Sequence, residues 1–425
     1  MQYGLIGEKL SHSFSPQIHS AFGRYDYELL ELSPDEVDGF FALRAFRGIN
    51  VTIPYKERAL SLCDEVEAEA LRIGAVNTVV NRNGRLFGYN TDYYGMGWVL
   101  DNAGIQLAGR EVLILGTGGT AKTAHALAED RGAAKIRLVS RNPVGDGMIS
   151  YEQAEKESGT AVVINASPAG MYPKNGISNL NLDCFPQLEA VFDAIYNPLR
   201  TRLLLDAEDR GILFVNGRGL LSANGLGMLV AQARRGAELF TDEPLPDGEI
   251  HRVLGLLHRE MANISLLGMP GCGKTALGRK LAERLGKTFI DLDEKIVEAA
   301  GKPIPAIFAE EGEDAFRALE SAAAQRWGRE HGLVLSTGGG IVKRRENIDY
   351  LRQNGPILFI DCPVELLQMS GDRPLAKDRS DLYRLEAERR ALYKGAAQGC
   401  LSYHPDFAEN LAALEKLAEE LLDKE

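Results

Sequence analysis

Residues 264–275 read Ile264-Ser265-Leu266-Leu267-Gly268-Met269-Pro270-Gly271-Cys272-Gly273-Lys274-Thr275. An apolar run feeds the pattern G-x-x-x-x-G-K-[ST], which cradles nucleotide phosphates. Gly271 and Gly273 let backbone N–H groups turn toward phosphate oxygens. Lys274 reaches the outer phosphates, and the Thr275 hydroxyl suits Mg²⁺. An amphipathic helix is predicted from 275 to 285, directly after the loop. Such a strand opens its domain, so residues 1–260 must encode something else. The 165 residues that follow are enough for one nucleotide-binding domain.

The composition allows that division. The chain has 425 residues, 45% hydrophobic and 25% charged, as expected for two or three globular domains. A net charge of −12 argues against nucleic acid, whose phosphates demand a basic surface. Five cysteines (Cys63, Cys184, Cys272, Cys362, Cys400) are scattered without C-x-x-C spacing, which predicts reduced thiols and no zinc site. Cys272, at the start of a helix, is a candidate reactive thiol. No stretch reaches the roughly 18 apolar residues needed to cross a membrane, so the expectation is a soluble cytoplasmic protein without membrane partners. Oligomeric state is not legible.

The first stretch predicts a strand at YGLIG and a helix from Pro16. A strand at GINVTIPYK and a helix through Ala70 follow, giving a small α/β domain. From Glu111 a doubly wound pattern begins: strand VLILG, helix 119–131, then strands IRLVS, AVVINAS, AVFDAIY and LFVNG. Helices from about 225 to 259 close this half, and no Gly/Ser linker precedes Met261. The last helix, 407–423, carries Leu411, Leu414, Leu417 and Leu421, a face expected to pack on its own domain. The predicted architecture is α/β throughout. It comprises a substrate-binding domain (1–98 with 225–260), a Rossmann-like dinucleotide domain (99–224), and a P-loop domain with a parallel sheet (261–425).

Downstream of the P-loop, Thr288-Phe289-Ile290-Asp291-Leu292-Asp293 reads as a strand with both carboxylates on one face. One suits Mg²⁺, and the other suits orienting or deprotonating an acceptor hydroxyl. Arg317 and Glu320 stand one helical turn apart and can pair. Ser336-Thr337-Gly338-Gly339-Gly340 offers backbone for close approach to a ligand. Asp372-Arg373-Pro374-Leu375 lies in a polar stretch suited to a lid, and Glu388-Arg389-Arg390-Ala391-Leu392-Tyr393 follows. In this order the series resembles shikimate kinase across 261–425. The resemblance implies ATP·Mg²⁺ on Lys274 and Thr275, with Asp291 on the metal. It further implies shikimate on Asp293, Arg317, Gly339, Gly340 and Arg389, with Arg373 stabilising the transferred phosphoryl group. Two departures are the pair Arg389-Arg390, either of which could fill the family's R-x-P-L-Y arginine, and Ala376 after Leu375.

In the first half, Gly116-Thr117-Gly118-Gly119-Thr120-Ala121 is G-x-G-x-x-A between a strand and a helix, the dinucleotide fingerprint. About 20 residues on, where an acid would bind the ribose of NAD, stands Arg141, which suits the 2′-phosphate of NADP(H). Ser13, Ser15, Asn50-Val51-Thr52, Lys56, Asn77-Thr78 and Asn90-Thr91-Asp92 form a polar set. Individually they read as a helix cap at Ser15, a surface lysine and a capping aspartate. Together they resemble shikimate dehydrogenase across nearly all of 1–260. By that likeness Ser13, Ser15, Thr52, Asn77, Asp92 and Gln232 bind the substrate, Lys56 and Asp92 form the acid–base pair, and Tyr196 lines the cleft. The same likeness implies that Gly225 and Met228 lie toward the nicotinamide of NADPH. Here too the chain departs: the usual Asn-Thr-Asp-Gly continues as Tyr93-Tyr94-Gly95, and Pro143 to Asp146 replace a second basic residue after Arg141.

The two resemblances imply one bifunctional enzyme, whose first half makes the shikimate that its second half phosphorylates. Alternatives are an NAD-preferring quinate/shikimate dehydrogenase in the first half, one half serving only to bind shikimate, or a kinase for another polyol.

Overall fold

The computed structural model describes residues 2–10, 13–23, 25–145, 147–211, 224–246, 248–369, 375–376 and 378–424. Contacts divide them into two compact units. The first comprises 1–171, 177–196 and 206–257; the second comprises 172–176, 197–205 and 258–425. The predicted strand LFVNG and the lid residue Arg373 lie outside the described residues.

The first unit holds two sheets. One is mixed, in the order Glu28–Glu31, Tyr3–Gly7, Gly48–Val51, Thr78–Arg82, Arg85–Tyr89, Glu65–Val66. Its hairpin turns at Asn83-Gly84, both with positive φ (55° and 86°), the two-residue turn that matches strand twist. The other sheet is parallel, in the order Ala190–Asp193, Thr160–Asn165, Glu111–Leu115, Lys135–Val139, Met148–Ile149. Its strands Ala190–Asp193, Thr160–Asn165 and Glu111–Leu115 are mostly buried apolar runs, as in a sheet covered on both faces, while Lys135–Val139 is half-buried. Val112, Ile114, Val162, Ile164 and Phe192 form its core. The helices Thr91–Ala103 and Gly225–Thr241 pack closely, since a Cβ on Gly95 would lie 2.6 Å from the Met228 carbonyl oxygen.

The second unit is built on a five-stranded parallel sheet. Its order is Thr288–Asp291, Leu333–Ser336, Ile264–Gly268, Ile357–Asp361, Gly399–Ser402, which makes the P-loop strand central. The helix Phe407–Lys424 packs on this unit through Leu411, Leu414, Ala418 and Leu422, one residue out of the predicted stripe at its end. The helix Glu249–Met261 begins in the first unit and ends in the second, so a continuing helix stands where a linker was missing from the sequence.

Several local expectations change. The strand at GINV stops at Val51, and Lys56 opens a helix, Lys56–Leu62, after the cis Ile53-Pro54 bond. A separate helix, Ala68–Ile73, follows the short strand Glu65–Val66. The strand at TFID ends at Asp291, whose side chain caps the next helix by accepting from the Asp293 N–H at 3.0 Å. Asp293 therefore stands in a first helical turn, not on a strand face. Ser15 is likewise no cap: Phe14 holds that position, and the Ser15 hydroxyl meets that of Ser13 at 3.1 Å. Among the described residues no helix is long and apolar enough to cross a membrane.

Candidate active sites

In the first unit the strand ends and helix starts bring polar groups to one place. Asn90 caps the helix Thr91–Ala103, accepting from the Tyr93 N–H and donating to the Ala75 carbonyl at 2.9 Å. This cap puts Asp92 in the first turn, where its carboxylate accepts from Lys56 Nζ at 2.6 Å. The pair is largely shielded, with side-chain exposures of 17% and 10%. Asn77 Oδ1 accepts from the Thr91 N–H at 2.7 Å, and the Thr91 hydroxyl donates to Gln232 Oε1 at 3.2 Å. Thr78 joins Thr91 at 3.0 Å and accepts from Asn50 Nδ2 at 2.9 Å. Asn50 in turn accepts from the Tyr27 hydroxyl at 2.7 Å. These buried amides are thus held by partners behind them, which fixes which way each one faces. Sequence reasoning found Asn77, Asp92 and Gln232 but assigned no role to Tyr27, Asn50, Thr78 or Thr91.

Half-buried Ser13 and Thr52 lie on the loops that follow the strands Tyr3–Gly7 and Gly48–Val51, and buried Ser15 opens the helix Ser15–Ala21. Tyr196 meets Phe14 edge-on, with ring centroids 6.0 Å apart. Burial pushes the Tyr196 hydroxyl pKa up, so it stays neutral.

The dinucleotide turn is built as such turns require. Gly116 has φ of 115°, and a Cβ there would lie 2.9 Å from the Ala166 carbonyl oxygen. Gly118 opens onto space, with no atom within 4 Å of where a Cβ would stand, which leaves its backbone approachable by a pyrophosphate. The helix Gly119–Asp130 starts there, with Thr120 half-buried and Ala121 in the core. Gly119 stands near Lys56, since its Cβ position lies 3.8 Å from Lys56 Cδ. Arg141 is exposed just beyond the strand Lys135–Val139 and has no carboxylate paired to it among the described residues. Gly225 is pressed on the Ala194 carbonyl, 1.9 Å from a would-be Cβ, and Met228 is buried in the core of the parallel sheet.

The second unit holds a cavity of about 400 Å³ at the carboxyl ends of its strands. Gly268, Gly271 and Gly273 all have positive φ (156°, 86°, 89°), which a P-loop needs and other residues resist. Lys274 Nζ is buried and donates to the Gly268 and Met269 carbonyls at 2.9 and 3.1 Å. Thr275 donates to Asp291 Oδ2 at 2.7 Å. On the far wall, Arg317 Nη1 donates to Glu320 Oε2 at 2.7 Å, while its Nε and Nη2 reach Glu313. Burial pushes the Glu320 carboxyl up to about 7, against the pull of Arg317.

Arg389 Nη1 donates to the Gly339 carbonyl at 3.0 Å, and the Tyr393 hydroxyl donates to the same oxygen. Arg389 Nε and Nη2 are buried without a hydrogen-bond partner among the described residues. Buried guanidinium donors of this kind call for an anion. Arg390 is exposed and pairs with Asp361 and Glu386, so of the two arginines Arg389 lines the cavity. The three glycines are tight: a Cβ on Gly338 would lie 2.8 Å from Asp293 Oδ1, and one on Gly340 2.2 Å from Arg317 Nη1. An apolar wall of Ile304, Phe308, Phe316 and Leu385, unforeseen from sequence, completes the cavity. Its only sequence signal was helical periodicity, which does not distinguish a pocket wall from core. Cys272 of the loop is buried, 1% exposed, a poor setting for the candidate reactive thiol.

Fold and sites together define an α/β chain carrying a dinucleotide-dependent oxidoreductase centre and a P-loop small-molecule kinase centre. The comparisons give the families. The model of the shikimate dehydrogenase substrate-binding domain matches residues 5–79, and the shikimate kinase model matches 270–423. A shikimate dehydrogenase (NADP(+)) of Clostridium perfringens is 37% identical over 232 residues, 51% of this chain and 86% of that protein. The crystal structure of shikimate dehydrogenase 1 from Peptoclostridium difficile is 36% identical with a TM-score of 0.55, covering 60% of this chain and 98% of that one. Shikimate 5-dehydrogenase from Thermus thermophilus, solved with NADP(H) and shikimate, is 30% identical with a TM-score of 0.52, covering 60% and 98%. The chain belongs to the shikimate dehydrogenase family and carries a C-terminal shikimate kinase domain.

Proposed function

We propose that the first site reduces 3-dehydroshikimate to shikimate with NADPH and that the second transfers a phosphoryl group from ATP to shikimate. The observation that carries the reading is the shielded Lys56–Asp92 pair beside Gly119, where the cofactor helix begins. Bound NADPH supplies the hydride. As the carbonyl carbon is reduced, its oxygen needs a proton, and Lys56 Nζ is the donor. Asp92 holds the ammonium in place and offsets its charge. Ser13, Ser15, Thr52, Asn77, Gln232 and Tyr196 bind the substrate's hydroxyls and carboxylate. Gly116, Gly118, Gly119, Thr120 and Ala121 take the pyrophosphate, Arg141 takes the 2′-phosphate, and Gly225 and Met228 flank the nicotinamide. An exposed arginine with no carboxylate paired to it among the described residues supports NADPH over NADH.

In the second site, Lys274 and the N–H groups of Gly271 and Gly273 hold the ATP phosphates. Thr275 and Asp291, already joined by a hydrogen bond, fit Mg²⁺. Arg389, with its two buried free donors, and Arg317 clamp the substrate carboxylate, and Gly339 and Gly340 let it approach. Asp293 orients the acceptor hydroxyl, and Arg373 is assigned to the transferred phosphoryl from its sequence position alone. Residues 1–98 with 225–260, 99–224 and 261–425 are read as the substrate-binding, NADP-binding and kinase domains.

The test supplies 3-dehydroshikimate, NADPH and MgATP to the full chain and its variants. Lys56→Ala should cut reduction by roughly 10²- to 10⁴-fold and spare phosphorylation of added shikimate; Lys274→Ala should do the converse. Reduction by Lys56→Ala at the parent rate would remove that lysine from the mechanism. NADH serving as well as NADPH would move the first half to a quinate-type enzyme.

A further inference from the structure

Each member of the Lys56–Asp92 pair is followed in sequence by a residue bound to the cofactor helix Gly119–Asp130. Glu57 accepts from Lys122 Nζ at 2.5 Å, in the helix's first turns. Tyr93 donates from its hydroxyl to Asp130 Oδ2 at 2.6 Å, at the helix's end. Arg72, on the helix Ala68–Ile73, adds a two-pronged contact to the same carboxylate, Nη1 to Oδ1 at 2.8 Å and Nη2 to Oδ2. Asp130 therefore joins three helices. The Tyr93 ring also packs on Ile73, Ala75 and Ala126. The Glu57–Lys122 pair is open to water, with exposures of 62% and 42%, and contributes little. The Arg72–Asp130 pair is itself 45% and 36% exposed, so its charges add little alone. The cluster is the firmer pin because a two-pronged geometry, the Tyr93 hydroxyl and apolar packing of Tyr93 act together.

We propose that Tyr93, with Asp130 and Arg72, positions the cofactor helix against the acid–base pair, so that hydride and proton reach the same carbonyl. The helix begins at the dinucleotide turn, and Tyr93 is adjacent to Asp92, so displacement at one end is felt at both reacting partners. A glycine at residue 93, the arrangement the sequence departs from, supplies neither hydroxyl nor ring. The inference rests on the reading of the first site given above.

The test uses the full chain as Tyr93→Phe, Asp130→Asn and Asp130→Glu, with NADPH deuterated at the transferred position. Tyr93→Phe and Asp130→Asn should each lower kcat for reduction by roughly 3- to 10-fold, as small misplacements of reacting groups do. KM for the substrate should stay within about twofold, because the side chains of the pin bond one another rather than the substrate-binding groups. The isotope effect on kcat should rise as hydride transfer becomes slower than other steps, and Asp130→Glu should recover part of the loss. Phosphorylation by the same chain, a property of the second unit, should be unchanged, and a near-parent KM for the substrate of reduction shows that the first unit of each variant is folded. Unchanged kcat and isotope effect in both Tyr93→Phe and Asp130→Asn overturn the inference, even if thermal stability drops. Failure of the parent chain to reduce the substrate with NADPH would instead sink the site reading, and this inference with it.

Discussion

At the scale of single residues, the sites are held open by glycines as much as by charged groups. Gly340 is the sharpest case, since a methyl there would lie 2.2 Å from Arg317 Nη1. Arg317 is buried and fixed by Glu313 and Glu320, so the guanidinium has no easy retreat. Gly340→Ala should raise KM for shikimate in phosphorylation by roughly tenfold or more, the cost of about 1.4 kcal/mol of lost binding. Reduction should be unaffected. Steady-state kinetics of both reactions on one preparation check this, and an unchanged KM would mean that Arg317 does not hold the substrate.

At the scale of elements, the helix Gly312–Gly328 buries Glu320 at 1% exposure beside Arg317. Its carboxyl is pushed from an ordinary 4.5 up to about 7. A carboxyl that binds its proton more tightly when folded stabilises the fold at low pH and loses that contribution as pH rises from about 4.5 through 7. Glu320→Gln should flatten this loss, worth at most about 3 kcal/mol. The urea midpoint for loss of phosphoryl transfer, measured from pH 5 to 8, reads it out. A parallel decline in the two proteins would locate the titration elsewhere.

How much was legible also divides by element. The P-loop and the dinucleotide turn were readable because their glycines, lysine and flanking apolar runs are consecutive, so local sequence carries the geometry. The TFIDLD stretch misled because its two carboxylates fit strand alternation, whereas the Asp291 side chain ends the strand by capping a helix. Tyr27 escaped, and Asn50, Thr78 and Thr91 stood in the polar set without a role, because their network joins residues far apart in sequence, such as Thr91 and Gln232. Arg389 could be separated from Arg390 only by burial, which two neighbouring helix positions with the same side chain do not announce.

At the scale of the molecule, the compact units do not coincide with a cut at residue 260. Asn197–Leu205 and Tyr172–Gly176 belong with the second unit. There Asn354, fully buried, accepts from the Leu199 N–H at 3.0 Å. It also donates to the Gly328 carbonyl at 3.0 Å and the Tyr172 hydroxyl at 3.2 Å. Arg202 pairs with Asp349, and the Arg200 N–H donates to the Gln353 carbonyl at 2.8 Å. Asn354→Ala removes three buried hydrogen bonds at once and should cost about 2 to 3 kcal/mol. Thermal loss of phosphoryl transfer should then come roughly 5–10 °C earlier. An unmoved midpoint would show that water replaces the amide at no cost.

The Leu199–Asn354 bond has a consequence for synthesis on the ribosome. The two residues are 155 positions apart. At ordinary elongation rates Leu199 emerges roughly 10 to 30 s before the side chain that completes it. The nascent first half thus carries a stretch whose folding partners are still untranslated, and the later half closes what the earlier half leaves undone.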